Sequence, residues 1–118
     1  MPTGARGEGY LELDGKRYEL LFTNRALVEA ERLTEKSAMR FLRDAKAGDI
    51  SIGDVAQYVS VGLRYSSRDG GVQGAGLDVN NAWRLLDGIG FETVAAVVLV
   101  ALAAVMSYQR GDIDSPPA

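Results

Sequence analysis

The fold is decided by residues 91–108, which read FETVAAVVLVALAAVMSY. Every residue from Val94 to Met106 is apolar, and no glycine or proline interrupts the run. A helix that is apolar on all sides has to be buried on all sides, in a core, a membrane or an interface. We therefore predict a helix over about Phe91 to Tyr108 that organises the rest of the chain.

This last helix has two different faces. The bulky face consists of Phe91, Val94, Val98, Leu102 and Val105, with Leu99 and Met106 at its edge. The opposite, smaller face consists of Ala96, Val100, Ala103 and Ala104. Leaving the bulky side chains in water would forfeit about 10–20 kcal/mol. We expect the bulky face to fill the core. A chain of 118 residues cannot readily cover the small face as well. We therefore expect the small face to bind partners.

A membrane span is the less favoured interpretation of the same helix. The run from Val94 to Met106 is about 20 Å long at 1.5 Å per residue, against a hydrocarbon core of about 30 Å. Lengthening it requires Glu92, Thr93 and Ser107, and no basic cluster flanks it. We therefore predict a core or interface helix and no membrane partner.

The N-terminal part of the chain predicts a β-hairpin. Asp14-Gly15 separates Tyr10–Leu13 from Lys16–Leu20, and an Asp-Gly pair favours a two-residue hairpin turn. That turn pairs Leu13 with Lys16 and Leu11 with Tyr18. One face then carries Leu11, Leu13, Tyr18 and Leu20. Because a lone hairpin is marginal in water, this face must lie on helices or on another subunit.

Helical periodicity predicts four shorter helices between the hairpin and the last helix. Their expected N-caps are Asn24, Ser37, Ser51 and Asp78, and Gly48 and Asp87-Gly88 are expected to end the second and the fourth. The residues expected to face the core are Leu27, Ala30 and Leu33, then Ala38, Phe41, Leu42 and Ala45, then Ile52, Val55, Ala56, Val59 and Leu63, and finally Val79, Ala82, Trp83 and Leu86. For Trp83, an interface anchor is the alternative.

The predicted fold class is mainly α, with an N-terminal β-hairpin followed by a bundle of about five helices. We expect a flexible N-terminus over residues 1–8, a single domain over residues 9–110 and a flexible tail over residues 111–118. Residues 66–77 are predicted to form a long loop, because this stretch is glycine-rich and shows no period.

Composition argues against catalysis. The chain has no cysteine and no histidine, which removes thiolate chemistry, the usual general base and the commonest metal ligands. A formal net charge of −3 without a basic stripe argues against nucleic acid. The glycines of residues 70–76 lack the Lys-Ser/Thr of a phosphate loop, and Asp112 and Asp114 supply too few oxygens for Ca²⁺. We expect no catalytic residues, no metal, no cofactor and no enzyme activity.

Several motifs occur in a recognisable order. Residues 10–20 form strand, Asp-Gly turn and strand; Asn24-x-Ala26-Leu27 begins a helix; Val61-Gly62-Leu63-Arg64 ends another; Leu77-Asp78 precedes a helix to Leu86-Asp87; and an apolar helix follows. This order resembles the tail assembly chaperones of long-tailed bacteriophages and the related gene transfer agents. Where that family often has Arg-Pro after the second strand, this chain has Leu21-Phe22.

The resemblance implies a function without catalysis. Such chaperones bind the tape measure protein and keep its apolar helices soluble until the tail tube assembles, and a longer frameshifted form recruits the tube protein. For this chain it implies the host cytoplasm, which agrees with the lack of an apolar stretch in Met1 to Gly9. We expect self-association in the absence of client. The expected partner-binding residues are Ala96, Val100, Ala103, Ala104, Leu11 and Tyr18. The alternatives are a structural adaptor of the virion, such as a connector or tail-end protein, and a holin-like membrane protein.

The glycine-rich stretch gives the first testable prediction. Little apolar side chain is available to anchor residues 66–76, so their amides should exchange rapidly with solvent and proteases should cut first near Arg68. Hydrogen exchange followed by mass spectrometry and limited trypsin digestion measure both properties. Slow exchange across this stretch in the free protein would contradict the prediction.

Overall fold

The computed structural model describes residues 7–66 and 75–114, with side chains over 7–66 and 78–106. The elements are β1 (Glu8–Leu13), β2 (Lys16–Leu21), α1 (Asn24–Thr34), α2 (Ala38–Lys46), α3 (Ile52–Ser66), α4 (Ala75–Ile89) and α5 (Phe91–Asp114). The predicted fold class is confirmed, because an antiparallel hairpin precedes five helices in the described part of the chain.

The hairpin has the predicted register. Leu13 pairs with Lys16 and Leu11 pairs with Tyr18 across a two-residue turn. Asp14 and Gly15 have φ angles of 54° and 79°, the left-handed conformation that this turn requires. Leu11, Tyr18 and Leu20 are buried, so the apolar face of the hairpin lies on helices of its own chain.

The hairpin and α3 approach each other closely at Gly62. A Cβ atom at this position would lie 2.9 Å from Phe22 Cζ and 3.0 Å from Leu20 Cβ. Any larger residue would push α3 away from β2, so glycine is what allows this helix to lie flat on the strand. Strand β1 packs against α4 and α5.

The core beneath the sheet is built around Tyr58. Its ring stacks on Phe41 with 4.4 Å between ring centroids and lies 6.1 Å from Phe22. The Tyr58 hydroxyl has no hydrogen-bond partner among the described residues, and burial raises its pKa, with Glu31 and Asp54 adding to the rise. The neighbouring Thr34 hydroxyl lowers the pKa of Tyr58 and so opposes the rise. The Thr34 hydroxyl itself donates to the Ala30 carbonyl oxygen at 2.9 Å.

The predicted N-caps of α2 and α3 are confirmed, and that of α1 is wrong by one residue. Ser37 Oγ accepts from Arg40 N at 3.0 Å, and Ser51 Oγ accepts from Asp54 N at 3.2 Å. Thr23, not Asn24, caps α1, because its Oγ1 accepts from Ala26 N at 3.1 Å. At the end of α2 the C-cap is Ala47, and Gly48 follows with a φ of 86°.

The predicted start and end of the fourth helix are wrong. α4 begins at Ala75 and ends at Ile89, so Asp78 lies inside its first turns and Gly88 lies within the helix. Asp78 does not cap the helix because its carboxylate is buried against Arg64. The predicted loop over residues 66–77 is therefore shorter, since Ser66 and residues 75–77 are helical; the remainder, 67–74, lies outside the described residues.

Four residues expected in the core are exposed: Ile52 (53%), Trp83 (43%), Val79 (39%) and Leu33 (38%). Ile52 is the first residue of α3, before the helix reaches the core. The buried line of α4 runs through Ala82, Leu85 and Leu86. Leu85, which was not predicted to face the core, is fully buried on this line. Trp83, which was predicted to face the core, lies off it.

The last helix is longer than predicted. α5 continues to Asp114, so residues 111–114, expected in a flexible tail, are helical. Gly111 costs only about 1 kcal/mol relative to alanine and does not stop a helix. A stronger stop signal is Ser115-Pro116, because the residue before a proline avoids helical backbone angles. The predicted flexible N-terminus over residues 1–8 is wrong at its end, because Glu8 begins β1 and the Gly7 carbonyl oxygen accepts from Phe22 N at 2.8 Å. The other predicted flexible residues, 1–6 and 115–118, lie outside the described residues.

The hairpin turn provides the second prediction. A Cβ at Gly15 meets nothing within 4 Å, so Gly15→Val should act through backbone strain alone. We expect the free energy of unfolding to fall by about 1–3 kcal/mol. Urea denaturation measures the change, and Gly15→Asn is the control, because asparagine tolerates the left-handed conformation and should cost less. Equal losses for valine and asparagine would contradict this origin.

Candidate partner-binding surface

The bulky face of α5 lies in the core, as predicted. Val94, Val98 and Leu102 are 0% exposed and Val105 is 6% exposed. Phe91, Leu99 and Met106 are partly buried and pack against the same core. We use the term inner face of α5 for this bulky side of the helix. The prediction that it fills the core is confirmed.

The opposite side of α5 is directed toward solvent. We use the term outer face of α5 for Ala96, Val100, Ala103 and Ala104. Val100 is 63% exposed, Ala96 is also exposed, and Ala103 and Ala104 are partly buried. No charged residue occurs between Glu92 and Arg110, although solvated helix faces normally carry charges. A single exposed valine is ordinary; an uncharged surface over several helical turns is the unusual feature.

Leu11 and Tyr18 do not belong to an accessible surface. They are 4% and 8% exposed, and the Tyr18 hydroxyl accepts a hydrogen bond from Arg84 Nη1 at 3.3 Å. Their assignment as partner-binding residues was wrong for the folded chain. The reason is that the apolar face of the hairpin packs on α3, α4 and α5, so it needs no second subunit.

A second exposed apolar site lies on α4. Val79 and Trp83 are 39% and 43% exposed and stand four residues apart, which makes them neighbours on the helix surface. Sequence reasoning placed both in the core. The amino-acid type could have indicated that Trp83 lies at the surface, because tryptophan is enriched where proteins bind one another.

A partly buried ionic cluster connects three helices. Arg64 on α3 forms ion pairs with Glu29 on α1 and with Asp78 on α4, where Nε lies 3.4 Å from Oδ2. The Tyr65 hydroxyl donates to Glu29 Oε1 at 3.0 Å. Burial raises the pKa of Asp78, and the hydrogen bond and charge of Arg64 oppose that rise. Both carboxylates are already paired, so the cluster serves the fold rather than a ligand.

Two other kinds of site, a metal site and a membrane span, are absent from the residues whose side chains the structure describes. Within residues 7–66 and 78–106, no group of three acidic side chains could hold a metal ion. Within residues 7–66 and 78–106, no helix is long and apolar enough to cross a membrane.

Comparisons with known proteins give no information about the outer face of α5. No family model, no curated protein and no solved structure matches this chain.

The two faces of α5 give the third prediction. Leu102→Asp would bury an unpaired carboxylate at a cost of several kcal/mol, comparable with the whole stability of a small domain. We expect this variant to lose its helical circular dichroism at 25 °C, whereas Val100→Asp should keep it, because position 100 is open to water. Loss of helix in both variants would show that the outer face is part of the core.

Proposed function

We propose that this protein is a non-catalytic binding protein that acts as a tail assembly chaperone. It binds the tape measure protein in the host cytoplasm and keeps the apolar helices of that client soluble until the tail tube assembles. A longer frameshifted form recruits the tube protein. The observation that supports this proposal is the outer face of α5, an uncharged surface on a domain whose core is already filled.

The chemistry of this surface suits a helical client. An amphipathic helix binds by laying its apolar stripe along a partner's apolar surface. The alanines at 96, 103 and 104 allow another helix axis to approach closely, near the short end of the 8–10 Å range for packed helices. Val100 supplies the single larger side chain at the middle of the face.

Exchange of the client depends on the size of this surface. An interface formed by one helix face contributes far less than the core beneath it, so binding and release leave the fold intact. A chaperone displaced by tube subunits needs this combination of a stable domain and a modest, non-directional contact.

A structural adaptor of the virion is the second candidate. The half-exposed Trp83 beside Val79 favours it, because aromatic residues that become fully desolvated anchor durable interfaces. Presence of the chain in purified particles would support the adaptor, and presence only in lysates would support the chaperone.

Co-expression with a tape measure protein tests the chaperone function and gives the fourth prediction. The client is the product of the long helical open reading frame expected beside the gene of this chain. Wild-type protein should keep most of that product in the soluble fraction, and Val100→Asp and Ala104→Asp should not, because a carboxylate on the face is desolvated by a bound helix.

The control is Val28→Asp on α1. Val28 and Val100 are the same residue type and are both 63% exposed, so the two substitutions differ only in location. Soluble client with Val100→Asp, or insoluble client with Val28→Asp, would remove the outer face of α5 from the mechanism.

A further inference from the structure

We propose that β2 pairs edge to edge with β2 of a second copy, in an antiparallel register, so that two hairpins form one continuous sheet. This pairing goes beyond the proposed function and does not depend on it, because β2 packs on α3 whereas the outer face of α5 belongs to another helix. The backbone groups at the edge of β2, its exposed side chains and the charges along it support the pairing.

Three residues of β2 direct their backbone N–H and C=O groups away from β1. The Phe22 N–H donates to the Gly7 carbonyl oxygen at 2.8 Å, and along an antiparallel ladder such pairs alternate with pairs that are not hydrogen-bonded. In the observed register, Arg17, Glu19 and Leu21 belong to the second kind of pair, so their backbone groups point outward. Outside the hairpin itself, no backbone hydrogen bond between described residues involves these three.

The edge of β2 is open around its middle. The side chains of Lys16, Arg17 and Glu19 are exposed, and α3 packs on the inner surface of the strand, where Gly62 lies against Leu20. A strand with outward backbone groups is a template for another extended strand, which adds to the sheet through main-chain hydrogen bonds. The occupant of this edge is therefore a strand rather than a helix.

Charge along the edge selects β2 of a second copy as that strand. Antiparallel pairing about Tyr18 sets Arg17 of each copy directly opposite Glu19 of the other. A slip of two residues in either direction would set Arg17 opposite Arg17 or Glu19 opposite Glu19, and like charges directly opposite are destabilising. Two-fold symmetry repeats the favourable contact, as in an isologous dimer.

Both charges are available for this contact. Among the described residues, neither Arg17 nor Glu19 forms an ion pair. The Arg17 side chain lies along the outer surface of the sheet, with Cζ 3.9 Å from the centroid of the Tyr10 ring. Because this stacking already restricts the side chain, less conformational entropy is lost when a carboxylate of the second copy approaches it.

The edge of β1 does not offer the same contact. Its outward residues are Glu8, Tyr10 and Glu12, so pairing about Tyr10 would set Glu8 of each copy opposite Glu12 of the other. Like charges oppose each other at both ends of that contact. One edge of the hairpin therefore favours self-pairing and the other opposes it, which closes the assembly at two copies.

The first experiment measures mass by size-exclusion chromatography with light scattering. Wild-type protein should elute at twice the 12.7 kDa of one chain. Glu19→Pro should raise the dissociation constant by about 10-fold or more, because proline has no N–H to donate and each dimer loses two hydrogen bonds. Glu12→Pro is the matched control and should remain dimeric. Both glutamates are exposed and have an outward N–H, but Glu12 lies on β1.

The second experiment tests the register through charge. Arg17→Glu and Glu19→Arg each set like charges opposite one another when the variant pairs with itself, so each alone should be monomeric where the wild-type protein is a dimer. An equimolar mixture of the two variants sets opposite charges together at both contacts and should recover the dimer. These variants keep every backbone N–H, so they also test the pairing if Glu19→Pro is poorly folded by circular dichroism.

Amide hydrogen exchange, followed by nuclear magnetic resonance, identifies the edge directly. In the dimer, the amides of Arg17 and Glu19 should exchange slowly, because each donates to a carbonyl oxygen of the second copy. The outward amides of Tyr10 and Glu12 on β1 should exchange rapidly in the same sample.

Four outcomes contradict the inference. Wild-type protein that stays monomeric at about 100 μM excludes the pairing, and a mass that keeps rising with concentration indicates an open chain that joins β1 of one copy to β2 of the next. A dimer that survives Glu19→Pro excludes this edge, and a mixture of the charge variants that stays monomeric excludes this register. None of these measurements involves the tape measure protein, so the proposed function succeeds or fails separately.

Discussion

Burial of the inner face of α5 is the constraint on which the rest of the structure depends. Val94, Val98 and Leu102 are fully buried, and the hairpin, α3 and α4 all pack against the helix that carries them. Each of these side chains contributes about 1.5–3 kcal/mol when it leaves water. The shorter elements are arranged to cover this one apolar surface, and the glycine at position 62 lets the hairpin and α3 meet closely enough to complete the cover.

Local chemistry in the sequence was sufficient to predict the hairpin and the inner face of α5. The Asp-Gly turn fixes its own register, and a strong apolar stripe identifies its own buried side. The errors arose where a side chain had a partner distant in the chain. Asp78 has the composition of an N-cap, but Arg64 holds it inside the domain, and the position of Trp83 depends on how α4 is rotated against α3. For the candidate surface, the outer face was predictable from residue size, whereas the burial of Leu11 and Tyr18 required knowledge of what covers the hairpin.

The two sides of α5 have different roles. The inner side determines the fold, and changes there should be limited by volume and polarity. The outer side contributes little to the stability of a single domain, so its lack of charge is better explained by binding than by folding.

The interactions that hold α5 differ in kind from those that join α1, α3 and α4. The latter three share the Arg64 cluster, which consists of directional contacts between charged groups. Over residues 91–106, whose side chains the structure describes, α5 is attached to the other elements by apolar side chains that pack in the core. Apolar contacts weaken on cooling and respond little to ionic strength, whereas salt screens the attraction between partly exposed charges. The domain therefore consists of two parts that different solution conditions would loosen, with cold acting first on the attachment of α5 and salt acting first on the ionic contacts among the other three helices.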